Sequence, residues 1–110
     1  MSTDKGPSRK AGADLIAAER QRQIDAEGWT PEHDSEHTGD PAPLVQAAHC
    51  YLSSPSFRTE GRPPFAWPWD ARFWKPTPDD RVRELVKAGA LIAAEIDRLQ
   101  ASGKAGYPNV

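Results

Sequence analysis

The feature that most constrains the fold is the segment of residues 77–103, TPDDRVRELVKAGALIAAEIDRLQASG. Thr77 is a suitable cap, Pro78 suits the first helical position, and the two aspartates that follow complement the helix dipole. Apolar residues then recur at helical spacing along one stripe: Val82, Leu85, Val86, Gly89, Ile92, Ala93, Ile96 and Leu99. We therefore predict a helix at about 78–101 whose stripe forms the core.

The middle of this helix carries little bulk, because four small residues lie close together there: Gly89, Ala90, Ala93 and Ala94. Such a surface allows another helix, from this chain or from a second copy, to approach closely.

Two shorter helices are predicted before it. Residues 14–27 are rich in strong helix formers, and Asp14 can cap their start. Residues 41–53 begin with a proline that fits a first helical turn, and they end before Pro55. No alternating pattern predicts a strand, so we expect an all-α fold with three main helices at about 14–27, 41–53 and 78–101.

The first helix has a mixed face, on which three aliphatic and three polar residues fall together at helical spacing: Leu15, Ile16, Arg20, Gln23, Ile24 and Glu27. Either that end of the helix is exposed, or it lines a polar site. In the second helix, Cys50 lies in an apolar run, where we expect a buried and unreactive thiol.

The composition limits the core. Hydrophobic residues make up 37% of the 110-residue chain, and 11 prolines occupy positions that could have been helical. A small domain with so few large aliphatic residues often gains stability from subunit contacts, so we expect a homo-oligomer. One helical domain at 13–102 is predicted, with a disordered arm at 1–12 and a frayed tail at 103–110.

The charge pattern bears on the partners. A formal net charge of −2 argues against non-specific binding of nucleic acid, which needs a surplus of cations. No signal-peptide pattern and no apolar run near eighteen residues occurs, so we expect neither export nor a membrane partner. We therefore predict a cytoplasmic protein.

Residues 54–76 form a long segment with five prolines and six aromatic residues. A loop of this length is usually functional or disordered, and its aromatic content argues against disorder. Cationic side chains are interleaved with Trp67, Trp69 and Trp74. Such a set can stack a nucleobase and hold phosphate. The alternative is that the indoles only fasten the loop over a thin core.

The stretch EGWTPEHDSEH at 27–37 is the other unusual segment. His33 and His37 would share a helix face, so a divalent metal pair is geometrically possible. Acidic and histidine residues also gather at first helical turns to satisfy free N–H groups, and we favour that interpretation. We therefore predict that no metal binds here. We also predict that this segment forms a rim, which places Trp29 and His33 at a shared pocket.

Catalysis needs activated groups, and five carboxylates are candidates: Glu19, Glu27, Asp34, Glu84 and Glu95. Glu84 and Glu95 would lie on one side of the third helix, as acid pairs do that hold magnesium. A second acid-rich helix, a glycine-rich phosphate loop and a nucleophile elbow are all missing from the sequence. We therefore favour a protein that is not an enzyme and needs no cofactor.

Three strings, AERQRQIDAEGWTPEHD, WPWDARFWKP and DDRVRELVKAGALIAAEIDRL, resemble a family of small proteins encoded by tailed phages and prophages. The resemblance spans roughly residues 15–100. In that family the second helix carries a glutamate that Asp40 does not match. Fainter similarities are to the ryanodine receptor repeat and, through the PWD string and the acid-bearing last helix, to MazG-like pyrophosphohydrolases.

The phage resemblance implies an accessory protein of the host cytoplasm that sequesters a nucleotide-derived immune messenger, such as a cyclic dinucleotide or cyclic ADP-ribose, and so counteracts host defence. The alternatives are a magnesium-dependent MazG-like pyrophosphohydrolase and a helix-mediated binder of a host protein. For the nucleotide-like ligand, the residues expected to stack on it or to contact its phosphate or ribose are Arg20, Gln23, Trp29, His33, Trp67, Trp69, Trp74, Lys75 and Arg81.

Overall fold

A computed structural model describes residues 9–27, 43–101 and 103. Within them lie three α-helices, α1 (Gly12–Glu27), α2 (Pro43–Leu52) and α3 (Arg81–Ala101), and two short 3₁₀ helices at Pro55–Phe57 and Ala71–Phe73. The described part of the chain contains no strand, so the all-α prediction is confirmed. The arm at 1–12 and the tail at 103–110 lie mostly outside the described residues, and so does the stretch that was expected to deliver Trp29 and His33.

The start of α3 differs from the prediction. Asp80, rather than Thr77, caps the helix, because its Oδ1 accepts a hydrogen bond from the backbone N–H of Arg83 at 3.0 Å. Thr77 and Asp80 instead close a turn, in which the Asp80 N–H donates to the Thr77 carbonyl at 2.8 Å. The helix therefore begins at Arg81, three residues after Pro78.

Helix α3 is the centre of the fold, and both α1 and α2 pack against it. The C-terminal end of α2 lies beside the first turn of α3, since Arg81 reaches the last carbonyls of α2, so the two helices run antiparallel. Their shared core consists mostly of small and medium residues: Leu44, Ala47, Ala48, Tyr51, Ala88, Leu91 and Ala94. Cys50 is also buried, and burial raises the pKa of its thiol, as expected for an unreactive cysteine.

The face of α3 that turns inward is not the predicted aliphatic stripe. Val86 of that stripe is buried, but Leu85, Ile92 and Ile96 are 45%, 43% and 51% exposed. The buried positions form a second stripe with the same spacing: Glu84, Ala88, Leu91, Glu95 and Arg98. Charged residues can occupy it because each has an ionic partner, and Arg98 donates to both oxygens of Glu95 at 2.7 and 2.8 Å. Spacing alone cannot distinguish two such stripes.

The small residues of α3 allow α1 to approach closely, as predicted. Ala90 and Ala94 are completely buried. Gly89 faces Ile16 of α1 so closely that a Cβ built on the glycine would lie 2.5 Å from Cδ1 and 2.8 Å from Cγ1 of that isoleucine. The approaching helix therefore belongs to this chain.

Replacing Gly89 with leucine is expected to push α1 outward and to lower the free energy of unfolding by about 1–3 kcal/mol, as overpacking does elsewhere. The double variant Ile16→Ala, Gly89→Leu should recover part of this loss, because it frees the space that the new side chain needs. Urea denaturation measures both. Gly12→Leu is the matched control, since nothing lies within 4 Å of that site. Equal losses at both glycines would contradict the close approach.

Candidate functional site

Two arginines hold the last carbonyl groups of α2. Arg58 Nη2 donates to the carbonyl oxygens of Tyr51 and Ser53 at 3.0 and 2.6 Å, and Arg81 Nη1 donates to the same two oxygens at 2.8 and 3.2 Å. Arg81 Nη2 also donates to the carbonyl of Leu52. Cations are favoured at this end of a helix, because its unpaired carbonyls carry partial negative charge.

A fully buried carboxylate, that of Glu84, joins the two arginines. Its Oε2 accepts hydrogen bonds from Arg58 Nη1 at 2.6 Å and from the Thr77 N–H at 3.0 Å, while its Oε1 accepts from Arg81 Nη1 at 2.9 Å. We call Arg58, Arg81 and Glu84 the arginine cap. Because its members come from the loop and from α3 and bind the end of α2, it ties three segments together.

The arginine cap controls the protonation of Glu84. Burial by itself would raise the pKa of this carboxyl group, since a charge is poorly solvated in the interior. The hydrogen bonds from Arg58, Arg81 and Thr77 act in the other direction and hold the pKa below its ordinary value of 4.5. Glu84 is therefore ionised at neutral pH, and two cations against one anion leave the cap with a net positive charge.

The tryptophans of the loop converge on one tyrosine of α2. The Tyr51 ring stacks on Trp74 with centroids 4.7 Å apart, and Trp67 meets Tyr51 edge-on at 5.7 Å. Trp67 also packs against Trp74 at 5.0 Å and against Trp69 at 5.4 Å. We call Tyr51, Trp67, Trp69 and Trp74 the aromatic cluster. All three indoles are partly buried against the core, which agrees with the expectation that some of them fasten the loop.

Short-range hydrogen bonds fix the loop around the aromatic cluster. Asp70 starts the second 3₁₀ helix by accepting from the Arg72 N–H at 2.9 Å, and its carbonyl accepts from Trp67 Nε1 at 3.1 Å. Tyr51 anchors the following segment, because its hydroxyl accepts from the Lys75 N–H at 3.1 Å. The loop is therefore an ordered structure, as its aromatic content predicted.

The aromatic cluster and the arginine cap meet at Trp74. The guanidinium carbon of Arg58 lies 5.3 Å from the centre of the Trp74 ring, while Tyr51 stacks on the same ring at 4.7 Å. Trp74 therefore has an aromatic contact with Tyr51 and a cation–π contact with Arg58.

Beside Trp74 and Arg58 lies a cavity of about 260 Å³, which we call the Trp74 cavity. Arg58 and Trp74 form part of its wall, and the other lining residues come from the loop: Pro55, Thr59, Glu60, Gly61, Pro76 and Pro78. Thr59 and Glu60 are exposed, so they provide the polar groups of the rim. The wall is otherwise largely apolar, which is the usual character of a ligand pocket.

The structure brings together four of the predicted ligand-binding residues: Trp67, Trp69, Trp74 and Lys75. The carbonyl of Lys75 accepts from Lys87 Nζ at 2.7 Å, and this ammonium group lies 5.4 Å from the Tyr51 ring centre. Burial, and then the charge of Arg83, lower the pKa of Lys87. Positive charge and aromatic rings thus meet at Tyr51.

Three other predicted residues lie elsewhere. The guanidinium of Arg81 is used in the arginine cap, although its side chain stays 35% exposed. On α1, Arg20 pairs with Asp97 at 3.3 Å, and Gln23 donates to Glu19 at 3.3 Å. Both α1 residues are buried between helices, so the mixed face of α1 is an internal polar layer. Their roles in ligand binding stay predictions, as do those of Trp29 and His33.

Glu19 organises this polar layer. Its side chain is buried and accepts two hydrogen bonds from Arg22, both at 2.9 Å. It also forms an ion pair with Arg83 at 3.1 Å. Burial would raise the pKa of Glu19, but the hydrogen bond from Arg22 and the charges of Arg83 and Arg22 lower it below 4.5. The layer therefore joins α1 to α3 by ion pairs.

The carboxylates considered for catalysis are mostly committed to these ion pairs. Glu84 accepts three hydrogen bonds on its two oxygens, and Glu95 accepts two from Arg98, so both carboxylates already have arginine counter-ions. Among the described residues, no group of three or more His, Cys, Asp or Glu side chains could hold a metal ion. His33 and His37 lie outside this part of the chain.

Sequence reasoning missed the two residues that organise the site, Tyr51 and Arg58. A signal for Arg58 existed, because a cation just beyond a helix end can bind its last carbonyls. A signal for Tyr51 existed too, because a tyrosine in an apolar run needs a partner for its hydroxyl.

No protein-family model matches the chain, and no curated protein or solved structure matches it. The phage resemblance therefore stays a prediction, together with the cytoplasmic location and the expectation that nucleic acid does not bind. In the portion of the chain with a described structure, no helix has both the length and the apolar character needed to cross a membrane.

Proposed function

We propose that the protein binds a small, anionic, nucleobase-bearing ligand, whose flat ring enters the Trp74 cavity. The observation that carries this proposal is that Trp74 and Arg58, whose indole and guanidinium groups lie 5.3 Å apart, both line the cavity. A flat ring placed there meets an aromatic side chain and a cation together.

The chemistry of Arg58 suits such a ring. Its nitrogens already donate to Glu84, to the carbonyls at the end of α2 and to Ser53 Oγ, so it has little capacity left for a phosphate. The Arg58 side chain is only 7% exposed, so a base in the cavity would meet the Trp74 ring and the small accessible part of the guanidinium. The positive charge of the arginine cap also favours a ligand that carries negative charge.

The exposed residues at the rim of the Trp74 cavity can form hydrogen bonds with the edge of a nucleobase. The Glu60 carboxylate can accept hydrogen bonds from the exocyclic amine of a base, and the Thr59 hydroxyl can donate or accept. The volume of about 260 Å³ is slightly below the range of about 300–1,000 Å³ for pockets that enclose whole ligands. The cavity therefore suits one ring system, with the phosphates outside, near cations of the loop such as Arg62.

The biological role within this proposal is sequestration of a nucleotide-derived immune messenger. This part rests on the resemblance to the phage family. The geometry agrees with binding better than with pyrophosphate hydrolysis, because Glu84 and Glu95 serve as partners of arginines.

The test is isothermal titration calorimetry with cyclic dinucleotides and cyclic ADP-ribose isomers, together with mass spectrometry of any ligand that is released when the purified protein is denatured. Thr59→Trp is expected to fill the cavity and weaken binding at least about 10-fold, a loss of roughly 1.4 kcal/mol or more. Ser56→Trp is the matched control, since it puts the same bulky side chain on the same exposed loop without lining the cavity.

Adenosine and guanosine form a further arm. They should bind more weakly than the anionic ligands, because they enter the cavity without the charge attraction. Failure of the whole panel to bind, with no ligand released on denaturation, would rule the proposal out. Unchanged affinity in Thr59→Trp would show that binding occurs elsewhere.

A further inference from the structure

An apolar stripe of α3 has no partner within the described residues. Val82, Leu85, Ile92 and Ile96 are between 43% and 62% exposed. These four positions fall at the a and d positions of a seven-residue repeat, the spacing of a seam between paired helices. The position between Leu85 and Ile92 that would continue the seam is Gly89, which is covered by Ile16 of α1. We call these four exposed side chains the α3 stripe.

Helix α2 adds two residues of the same kind. Val45 and Leu52 are seven residues apart, and they are 46% and 44% exposed. Each residue of a helix turns by about 100°, so both lie about a quarter turn from the α2 face that meets α3. The α3 stripe lies about a quarter turn from the α3 face that meets α2. Both quarter turns have the same sense when each helix is viewed from its own N-terminus. Because the helices are antiparallel, Val45 and Leu52 therefore lie on the same side of the pair as the α3 stripe.

On α3, this side lies away from the buried positions Ala90 and Ala94. The apolar face therefore consists of six aliphatic side chains from two helices: Val45, Leu52, Val82, Leu85, Ile92 and Ile96. We call it the hairpin face.

We propose that a second copy of this chain covers the hairpin face, so that the α2–α3 pairs of two protomers form a four-helix arrangement around a two-fold axis. A contact around a two-fold axis is self-complementary, because both copies offer the same six aliphatic side chains. The proposal is independent of the ligand, since none of the six residues lines the Trp74 cavity.

The area of the hairpin face fits this occupant. Six aliphatic side chains, each about half exposed, present on the order of 500 Å² of apolar surface, which is as large as the largest patch of a typical monomer. Pairing of two copies would bury roughly 1,000 Å² from these side chains alone, before the surrounding residues are counted. This area is on the order of the roughly 1,000 Å² that a specific interface is expected to exceed.

The test is sedimentation velocity of the full chain over a range of micromolar concentrations. The wild type is expected to sediment as a dimer, and Ile92→Glu and Ile96→Glu as monomers with unchanged helical circular dichroism. Phe57→Glu and Phe65→Glu are the controls, because these side chains are 87% and 107% exposed but lie in the loop. They should leave the dimer intact. A monomeric wild type, or glutamate variants that remain dimeric, would overturn the proposal.

Cross-linking gives a second measurement that does not depend on a charged substitution. A short bismaleimide is expected to join two copies of the Ile92→Cys variant, since this position lies near the middle of the seam. The Phe57→Cys variant should stay unlinked, and the buried Cys50 should not react. Equal cross-linking of both variants, or none in either, would count against a dimer on this face.

Discussion

Glu84→Gln is expected to lower the free energy of unfolding by about 3–5 kcal/mol, because removal of one charge leaves Arg58 and Arg81 without their buried counter-ion. For a domain of this size, the melting temperature should fall by at least about 12 °C. Differential scanning calorimetry measures the change. Glu60→Gln is the control, since it removes the same charge from an exposed position and should stay within about 0.5 kcal/mol of the wild type.

The pH dependence of this effect has a definite sign. The folded protein holds the pKa of Glu84 below 4.5, so the contribution of the carboxylate is fully present above that pH and is lost as the pH falls through the lower, folded value. The stability difference between wild type and Glu84→Gln should therefore be constant near neutral pH and narrow below 4.5. A difference that grows on acidification would show that Glu84 is not ionised in the arginine cap.

Tyr51→Ala is expected to lower the free energy of unfolding by about 3–5 kcal/mol as well, the usual range for truncation of a buried aromatic residue. The ring is the common neighbour of Trp67, Trp74 and Lys87, so its loss leaves a hole at the centre of the aromatic cluster. Tyr51→Phe keeps the ring and removes only the acceptor for the Lys75 N–H, which should cost about 1 kcal/mol.

Urea denaturation followed by tryptophan fluorescence measures both variants of Tyr51. In Tyr51→Ala, the tryptophan emission of the native state should also shift to longer wavelength, because the indole rings become more exposed to solvent. If Tyr51→Ala and Tyr51→Phe were equally stable, the ring would not be the organising contact that the structure indicates.

The sequence was sufficient to locate the helices but not to determine which face of α3 turns inward. Apolar spacing and cap residues located α1, α2 and α3 to within three residues. The inward face of α3 could not be obtained in this way, because burial of Glu84 depends on Arg58, which is 26 residues away in the chain. The spacing of apolar residues predicts that Glu84, a charged residue, faces solvent. In the folded protein, the arginine partners make its burial possible.

The candidate site could be predicted only in part, because some of its contacts join residues that are distant in the sequence. A loop with many indoles and cations predicted that rings and charge would meet, and Trp67, Trp69 and Trp74 do converge. The neighbours of Trp74 come from other parts of the chain, with Tyr51 on α2 and Arg58 earlier in the loop. The local sequence pattern contains no information about which side chains will contact a given ring.

The arginine cap also bears on how such a protein could diversify. Arg58 holds the end of a helix and at the same time closes the wall of the Trp74 cavity, so selection for a folded chain preserves that wall. Thr59 and Glu60 lie next to it but are exposed, and substitutions there leave the scaffold unharmed. Descendants of one gene could therefore acquire new ligand preferences through a few rim positions, while the stacking surface is inherited unchanged.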